Sequence, residues 1–157
     1  WILMHLFEKN IKDLGLIINE PPDALANYVP FKVIDNLVYI SGQGPIENGK
    51  IKYTGKVGDT VSEDNGILAA QLCCINIIAA LKKSINSDWD RLVSFVKLGG
   101  FVNCNADYTN QPKIINGASD LLVKIFGEKG RHARFAVGSN SLPLDISVEI
   151  DAIIKIR

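Results

Sequence analysis

Histidine, methionine and cysteine are scarce in this chain: 157 residues carry two histidines, one methionine and three cysteines. With His5 and His132 the only histidines, a catalytic zinc site is not expected, and a Ser-His-Asp triad would have to use one of these two. Cys73, Cys74 and Cys104 make an odd count without repeated metal-ligand spacing. Adjacent cysteines in a helical stretch point in different directions, so buried reduced thiols are expected. An excess of charge is also missing. Seventeen basic residues balance seventeen acidic ones, leaving no global field to draw in nucleic acid or an anionic membrane. No run reaches the roughly 18 uninterrupted apolar residues of a bilayer span. The apolar opening Trp1–Phe7 has no basic flank and is cut short by Glu8, Lys9 and Asn10, so it reads as the lead into a short helix, and a reducing cytosolic setting is expected. Gly49 to Lys56 imitates a phosphate loop, but five residues separate Gly49 from Gly55 and Val57 stands where Ser or Thr is required. Gly117-Ala118-Ser119-Asp120 lacks the second glycine of a nucleophile elbow, and its serine falls in a helical pattern.

What is present suits one domain with its own core, at this length and 47% hydrophobic residues. Leu6, Phe7, Ile11 and Leu14 recur at helical spacing before Gly15, and Pro21-Pro22 then forbids helix or central strand. Phe31–Ile34 and Leu37–Ser41 flank Asp35-Asn36, a pair that tolerates the positive φ of a two-residue hairpin turn. Gly42, Gly44, Pro45, Asn48 and Gly49 are expected to break regular structure, with a brief strand over Ile51–Thr54. Thr60-Val61-Ser62-Glu63 has the form of a capping box opening a long helix whose apolar stripe runs from Ile67 to Ile85. Alternation predicts a strand over Arg91–Cys104, where Gly99-Gly100 marks a bulge or a close backbone approach. Pro112 opens a second helix ending near Gly127, and Ala133–Val137 and Ser147–Ile156 read as closing strands. On the last of these Glu149 and Asp151 face away from Val148, Ile150, Ala152, Ile154 and Ile156.

The order implies an α+β fold, a mixed sheet with two helices packed on one face, preceded by a helix and arm over residues 1–27 with the domain proper over 28–157. The second sheet face also carries apolar residues, which favours a symmetric oligomer that covers it.

Once failed motifs are set aside, a polar set in breaker-rich or strand-edge positions remains: Tyr28, Ser41-Gly42-Gln43, Asn116, Arg131-His132-Ala133-Arg134 and Glu149. The phrases Tyr28-Val29, Leu37 to Gln43, Gly99 to Asn103, Asn116-Gly117, His132-Ala133-Arg134 and Leu142-Pro143 through Val148-Glu149-Ile150 resemble, in order and spacing, the YjgF/RidA family, also called L-PSP-like. Leu14-Gly15-Leu16 to Pro21-Pro22, Gly55 to Gly58 and Gly127 to Arg134 resemble a longer subfamily within it. The resemblance implies a chorismate-mutase-like fold assembled as a homotrimer, with pockets between subunits and no cofactor. It implies that Arg134 grips the carboxylate of a small 2-imino or 2-enamino acid, that Glu149 orients or deprotonates the attacking water, and that Tyr28, Ser41, Gly42 and Asn116 line the pocket. Backbone near Gly42 and Ala136 would position imine and water, and His132 and Arg131 would adapt the pocket to its ligand. Ala136 stands where many relatives carry cysteine, which removes thiol chemistry at that point. The arginine role is physically apt, because a planar, permanently charged fork takes a carboxylate through two hydrogen bonds.

Plainer readings compete. Arg134 could be the salt-bridge partner of Glu149 on a neighbouring strand, His132 a satisfied histidine, Tyr39 an interface aromatic, and Trp89 a packing residue. Two other functions compete with deamination: an endoribonuclease-type translation inhibitor, against which the neutral charge argues, and a trimer that binds small carboxylates without turning them over.

Overall fold

In a computed structural model describing residues 3–157, the chain first doubles back at Asp35, whose φ of 51° joins β1 (Phe31–Ile34) to β2 (Leu37–Gln43) as the sequence predicts. Trp1 and Ile2 of the apolar opening lie outside the described residues. β2 does not stop at Ser41. Ile40 pairs with Ala152 and Gln43 with Ile150, so Ser41 and Gly42 together oppose the single residue Asp151. The expected break is therefore a β-bulge that keeps the strand going. A two-rung hairpin follows, β3 (Ile46–Glu47) with β4 (Lys50–Ile51), in place of a strand over Ile51–Thr54.

The long helix α2 (Glu63–Ser84) is capped two residues later than a Thr60 capping box would place it. Ser62 is the cap, accepting from the Asn65 amide at 3.1 Å, while the Thr60 hydroxyl accepts from the Lys56 amide. Either hydroxyl could serve by spacing, and the turn at Lys56–Val61 claims Thr60 first. By length and composition α2 could cross a bilayer, but 61% of its most apolar window is buried in the domain, which accounts for that apolarity. Cys73 and Cys74 diverge as expected, one thiol towards the Val148 carbonyl and the other towards Ala118; both are free and buried, as is Cys104.

β5 (Leu92–Asn103), α3 (Gln111–Phe126), β6 (Ala133–Ser139) and β7 (Val148–Ile156) complete the fold. Strand order is β1-β2-β7-β5-β6, antiparallel except for the parallel pair β5 and β6. The register irregularities of β5 fall before Lys97, not at Gly99-Gly100. Those glycines instead answer close approach: a Cβ on Gly99 would lie 2.3 Å from the Asp151 carboxylate, and one on Gly100 2.8 Å from Ile115.

Helices α2 and α3 cover one sheet face, burying Val38, Leu98, Val102, Val148, Ile150 and Ile154. The helix α1 (Leu6–Asp13) joins the same core: Phe7 meets Phe126 edge-on at 5.0 Å, and Trp89 donates its indole N–H to Glu8 at 2.8 Å. Residues 19–29 form an arm without helix or strand.

α2 and α3 approach closely at Gly117, where a Cβ would stand 2.4 Å from the Ile67 carbonyl oxygen. Backbone cannot swing aside as a side chain can, so Gly117→Ala should force the helices apart and cost about 1–3 kcal/mol. The check is urea unfolding, with the midpoint lowered and the slope unchanged.

Candidate functional site

β6 is a sheet edge, and its register decides where Arg134 points. Arg134 pairs with Leu98, which pairs with Ala152, and both partners are buried beneath the helices. Arg134 therefore lies on the helix side of the sheet, beside α3. Its Nη1 donates to Ser119 Oγ at 3.1 Å and its Nη2 to the Pro112 carbonyl at 3.3 Å. Among the described residues no carboxylate lies within ion-pair distance of this guanidinium. A half-buried cation is thus held by neutral acceptors alone.

His132, two residues earlier, completes the cluster. Its Nδ1 lies 2.7 Å from the Gly130 carbonyl and its Nε2 2.9 Å from Ser119 Oγ. A carbonyl can only accept, so Nδ1 carries the hydrogen and Nε2 accepts the serine O–H. Burial, and then the Arg134 charge, push the imidazole pKa down against the Gly130 bond, which favours the neutral ring. Asn116 is exposed on the α3 stripe of Pro112, Asn116 and Ser119, four and three residues apart. Ala136 is half-buried on the same side of β6 as Arg134.

Glu149 occupies the opposite side. It pairs with exposed Phe101, three residues beyond Leu98 on a regular stretch of β5, so it faces away from the helices. Arg134 and Glu149 of one chain are therefore on opposite faces with β5 between them, and the intrachain salt bridge does not form. The bulge at Ser41-Gly42 brings β2 against the carboxyl group: a Cβ on Gly42 would be 3.0 Å from Glu149 Cδ. Any larger residue at 42 would press the Glu149 side chain aside by a few tenths of an ångström. Half-buried, with no hydrogen-bond donor among the described residues, Glu149 has its pKa raised by burial and then by Asp151.

The carboxyl group lines a cavity of about 220 Å³ together with Tyr28, Gly42, Asp23, Pro143 and Leu144. Tyr28 is half exposed there. Ser41 is not at the wall; its hydroxyl donates to the Val29 carbonyl at 2.6 Å and ties down the arm that carries Tyr28. Leu144 holds a left-handed φ of 57° at the mouth, uncommon for a leucine. A larger cavity, about 650 Å³, lies between the arm, β3-β4 and α2; it shares Asp23 with the smaller one but is lined by neither Glu149, Gly42 nor Tyr28.

The sequence-predicted residues accordingly fall into two half-sites: Arg134, His132, Asn116 and Ala136 at the β6 edge, and Glu149, Gly42, Tyr28 and the Ser41 anchor at the bulge. Arg131 belongs to neither and pairs with Glu128 at the surface. Ser119 and Leu144 are the additions. Ser119 was visible only as part of a failed elbow, and its link to His132 appears once β6 is laid beside α3.

These features define a single-domain α+β protein with two helices on one face of a mixed sheet, an uncovered second face, and two polar half-sites separated by the sheet. A family model described as "YjgF/chorismate mutase-like, putative endoribonuclease" matches residues 8–152, and the chain belongs to that family. The protein Atu1372 of Agrobacterium tumefaciens, of unknown function, superimposes with a TM-score of 0.91 at 45% identity, over 97% of this chain and 93% of that one. A Shewanella oneidensis protein described as a "putative endoribonuclease" gives a TM-score of 0.91 at 32% identity, over 96% of this chain and 99% of that one. Protein TCP17 of Trypanosoma cruzi is 34% identical over 149 residues, 94% of this chain and 92% of its own.

Proposed function

We propose that this protein hydrolyses small reactive 2-imino or 2-enamino acids to 2-oxo acids and ammonia, in a pocket that a neighbouring subunit of a homotrimer completes. The observation that carries the reading is Arg134: a fixed cation with neutral acceptors and no carboxylate of its own. Three of its five N–H donors remain free once Ser119 and Pro112 are served, enough for a bidentate grip on a ligand carboxylate.

Glu149 supplies the complementary chemistry. With its pKa raised by burial and then by Asp151 it is a better proton acceptor than a solvated carboxylate. It takes a proton from water as the oxygen adds to C2 of the C=N bond and passes it to nitrogen, giving a carbinolamine; the hydroxyl proton then moves to the amino group, the C–N bond breaks, and ammonia leaves as C=O forms. An enamine first gains a proton at C3 and loses one from nitrogen to become the imine. No cofactor is needed.

Support for the trimer comes from the division of the site and from the uncovered face. Tyr39, Phe101 and Val137 are 44%, 37% and 42% exposed on the side of the sheet that the helices leave bare. A copy docking there can bring its β6 edge to the Glu149 cavity, which no movement within one chain achieves. Light scattering should give three times the monomer mass; a stable monomer would rule out the shared pocket.

The family's description and the name of the Shewanella relative raise RNA cleavage as a second reading. Zero net charge counts against it, since RNA binding draws on clustered lysine and arginine. Imino acids generated in situ from a panel of amino acids should decay faster with the protein present, whereas RNA should survive intact at low salt. Unchanged decay for every imino acid would leave a carboxylate-binding trimer without turnover.

A further inference from the structure

We infer that Ser119 and His132 are positioning residues that aim the Arg134 guanidinium at the ligand carboxylate. The inference rests on the proposed carboxylate role of Arg134 and deepens it.

The relay starts in the backbone. The Gly130 carbonyl at 2.7 Å can only accept, so it holds the imidazole hydrogen on Nδ1. Nε2 is then an obligatory acceptor, and the one hydroxyl hydrogen of Ser119 turns towards it across 2.9 Å. That orientation leaves the serine lone pairs for Arg134 Nη1, 3.1 Å away. Each bond fixes the direction of the next. A lone serine could rotate its hydrogen towards the guanidinium and repel it; the imidazole prevents this.

The second tether, Nη2 to the Pro112 carbonyl, lies at the start of the helix that also carries Ser119. Two points on one rigid element therefore hold the fork, and both are uncharged. An aspartate at 119 would grip Arg134 harder but would neutralise it and compete with the ligand, so a hydroxyl backed by neutral imidazole orients the cation without occupying it. His132 is half-buried between α3 and β6, and its only charged neighbour in hydrogen-bonded sequence is Arg134 itself, reached through Ser119. No group in the cluster needs to react with substrate for this role.

The test uses the full chain with pyruvate and pyruvamide as probes, alongside imino-acid turnover. Ser119→Ala and His132→Ala should each weaken pyruvate binding roughly tenfold while leaving the neutral amide nearly unchanged. The double variant should be little worse than either single one, because both break the same relay. Ser119→Thr keeps the hydroxyl and should restore discrimination; KM should rise more than kcat falls in the alanine variants. Independently of any ligand, nitrogen chemical shifts of His132 should show the Nδ1–H neutral tautomer. Additive losses, equal losses for pyruvate and pyruvamide, or an Nε2–H ring would overturn the relay. Discrimination that follows Ser119 without imino-acid turnover would sink the deaminase reading and keep the relay, whereas normal turnover with Ser119→Ala unaffected would do the reverse.

Discussion

Arg134→Ala should lower kcat/KM for imino-acid hydrolysis by about 10²- to 10³-fold, the loss of about 3–4 kcal/mol from two charge-assisted hydrogen bonds. The protein itself should hardly notice. Arg134 bonds only to a serine hydroxyl and an exposed carbonyl in its own chain, so its removal leaves no buried charge unpaired, and the unfolding midpoint should stay within about 0.5 kcal/mol of wild type. Arg134→Lys separates charge from geometry, since ammonium keeps the attraction but cannot span both carboxylate oxygens or reach Ser119 and Pro112 together. It should fall between the two. Kinetics on one imino acid and urea unfolding of the same preparations check both halves of this expectation.

Glu149→Gln should cost about 10²- to 10⁴-fold in rate, the usual scale of a lost general base. Its effect on stability should have the opposite sign. Because the folded protein holds this carboxyl's pKa above the unfolded value, the native state binds the extra proton between the two pKa values. Stability therefore falls as pH rises through that window, and at neutral pH the ionised, half-buried group is a standing cost. Glutamine removes the charge, so the variant should be inactive yet at least as stable as wild type at pH 7. In wild type, activity should decline as pH drops through the raised pKa of Glu149, with an acid limb above the ordinary carboxylate range. A variant both inactive and markedly less stable at pH 7 would point to a structural role for this side chain.

Most of the fold was legible because period and punctuation agree. Asp35-Asn36, Pro112 and the alternation of Val148 to Ile156 each state a local rule that the packing does not oppose. The misses occur where two residues compete for one task. Thr60 and Ser62 can both cap a helix, and only the turn at Lys56 decides between them. Gly42 looks like a breaker, yet in place it is the gap in a strand through which Glu149 approaches. Gly99-Gly100 could have been a bulge, but the neighbours across the sheet show close packing instead. For the site, the pattern singled out Arg134 and Glu149 but left open whether they pair with each other, and could not say which sheet face each takes. That depends on register: three residues along β5 separate their partners, and an odd number sends the side chains to opposite faces. Ser119 was beyond reach for the same reason, since it stands thirteen positions and a change of element away from His132.

Mixing the two inactive variants tests the divided pocket directly. If Arg134 of one subunit works with Glu149 of another, trimers assembled from equal amounts of Arg134→Ala and Glu149→Gln chains rebuild intact sites wherever a chain with its arginine meets one with its glutamate, about one quarter of all sites for random assembly. Co-refolded mixtures should then regain roughly that fraction of wild-type turnover, while the separately folded proteins combined afterwards regain it only as fast as subunits exchange. Activity no greater than the sum of the two parents, in mixtures shown to have exchanged subunits, would contradict a pocket shared between chains.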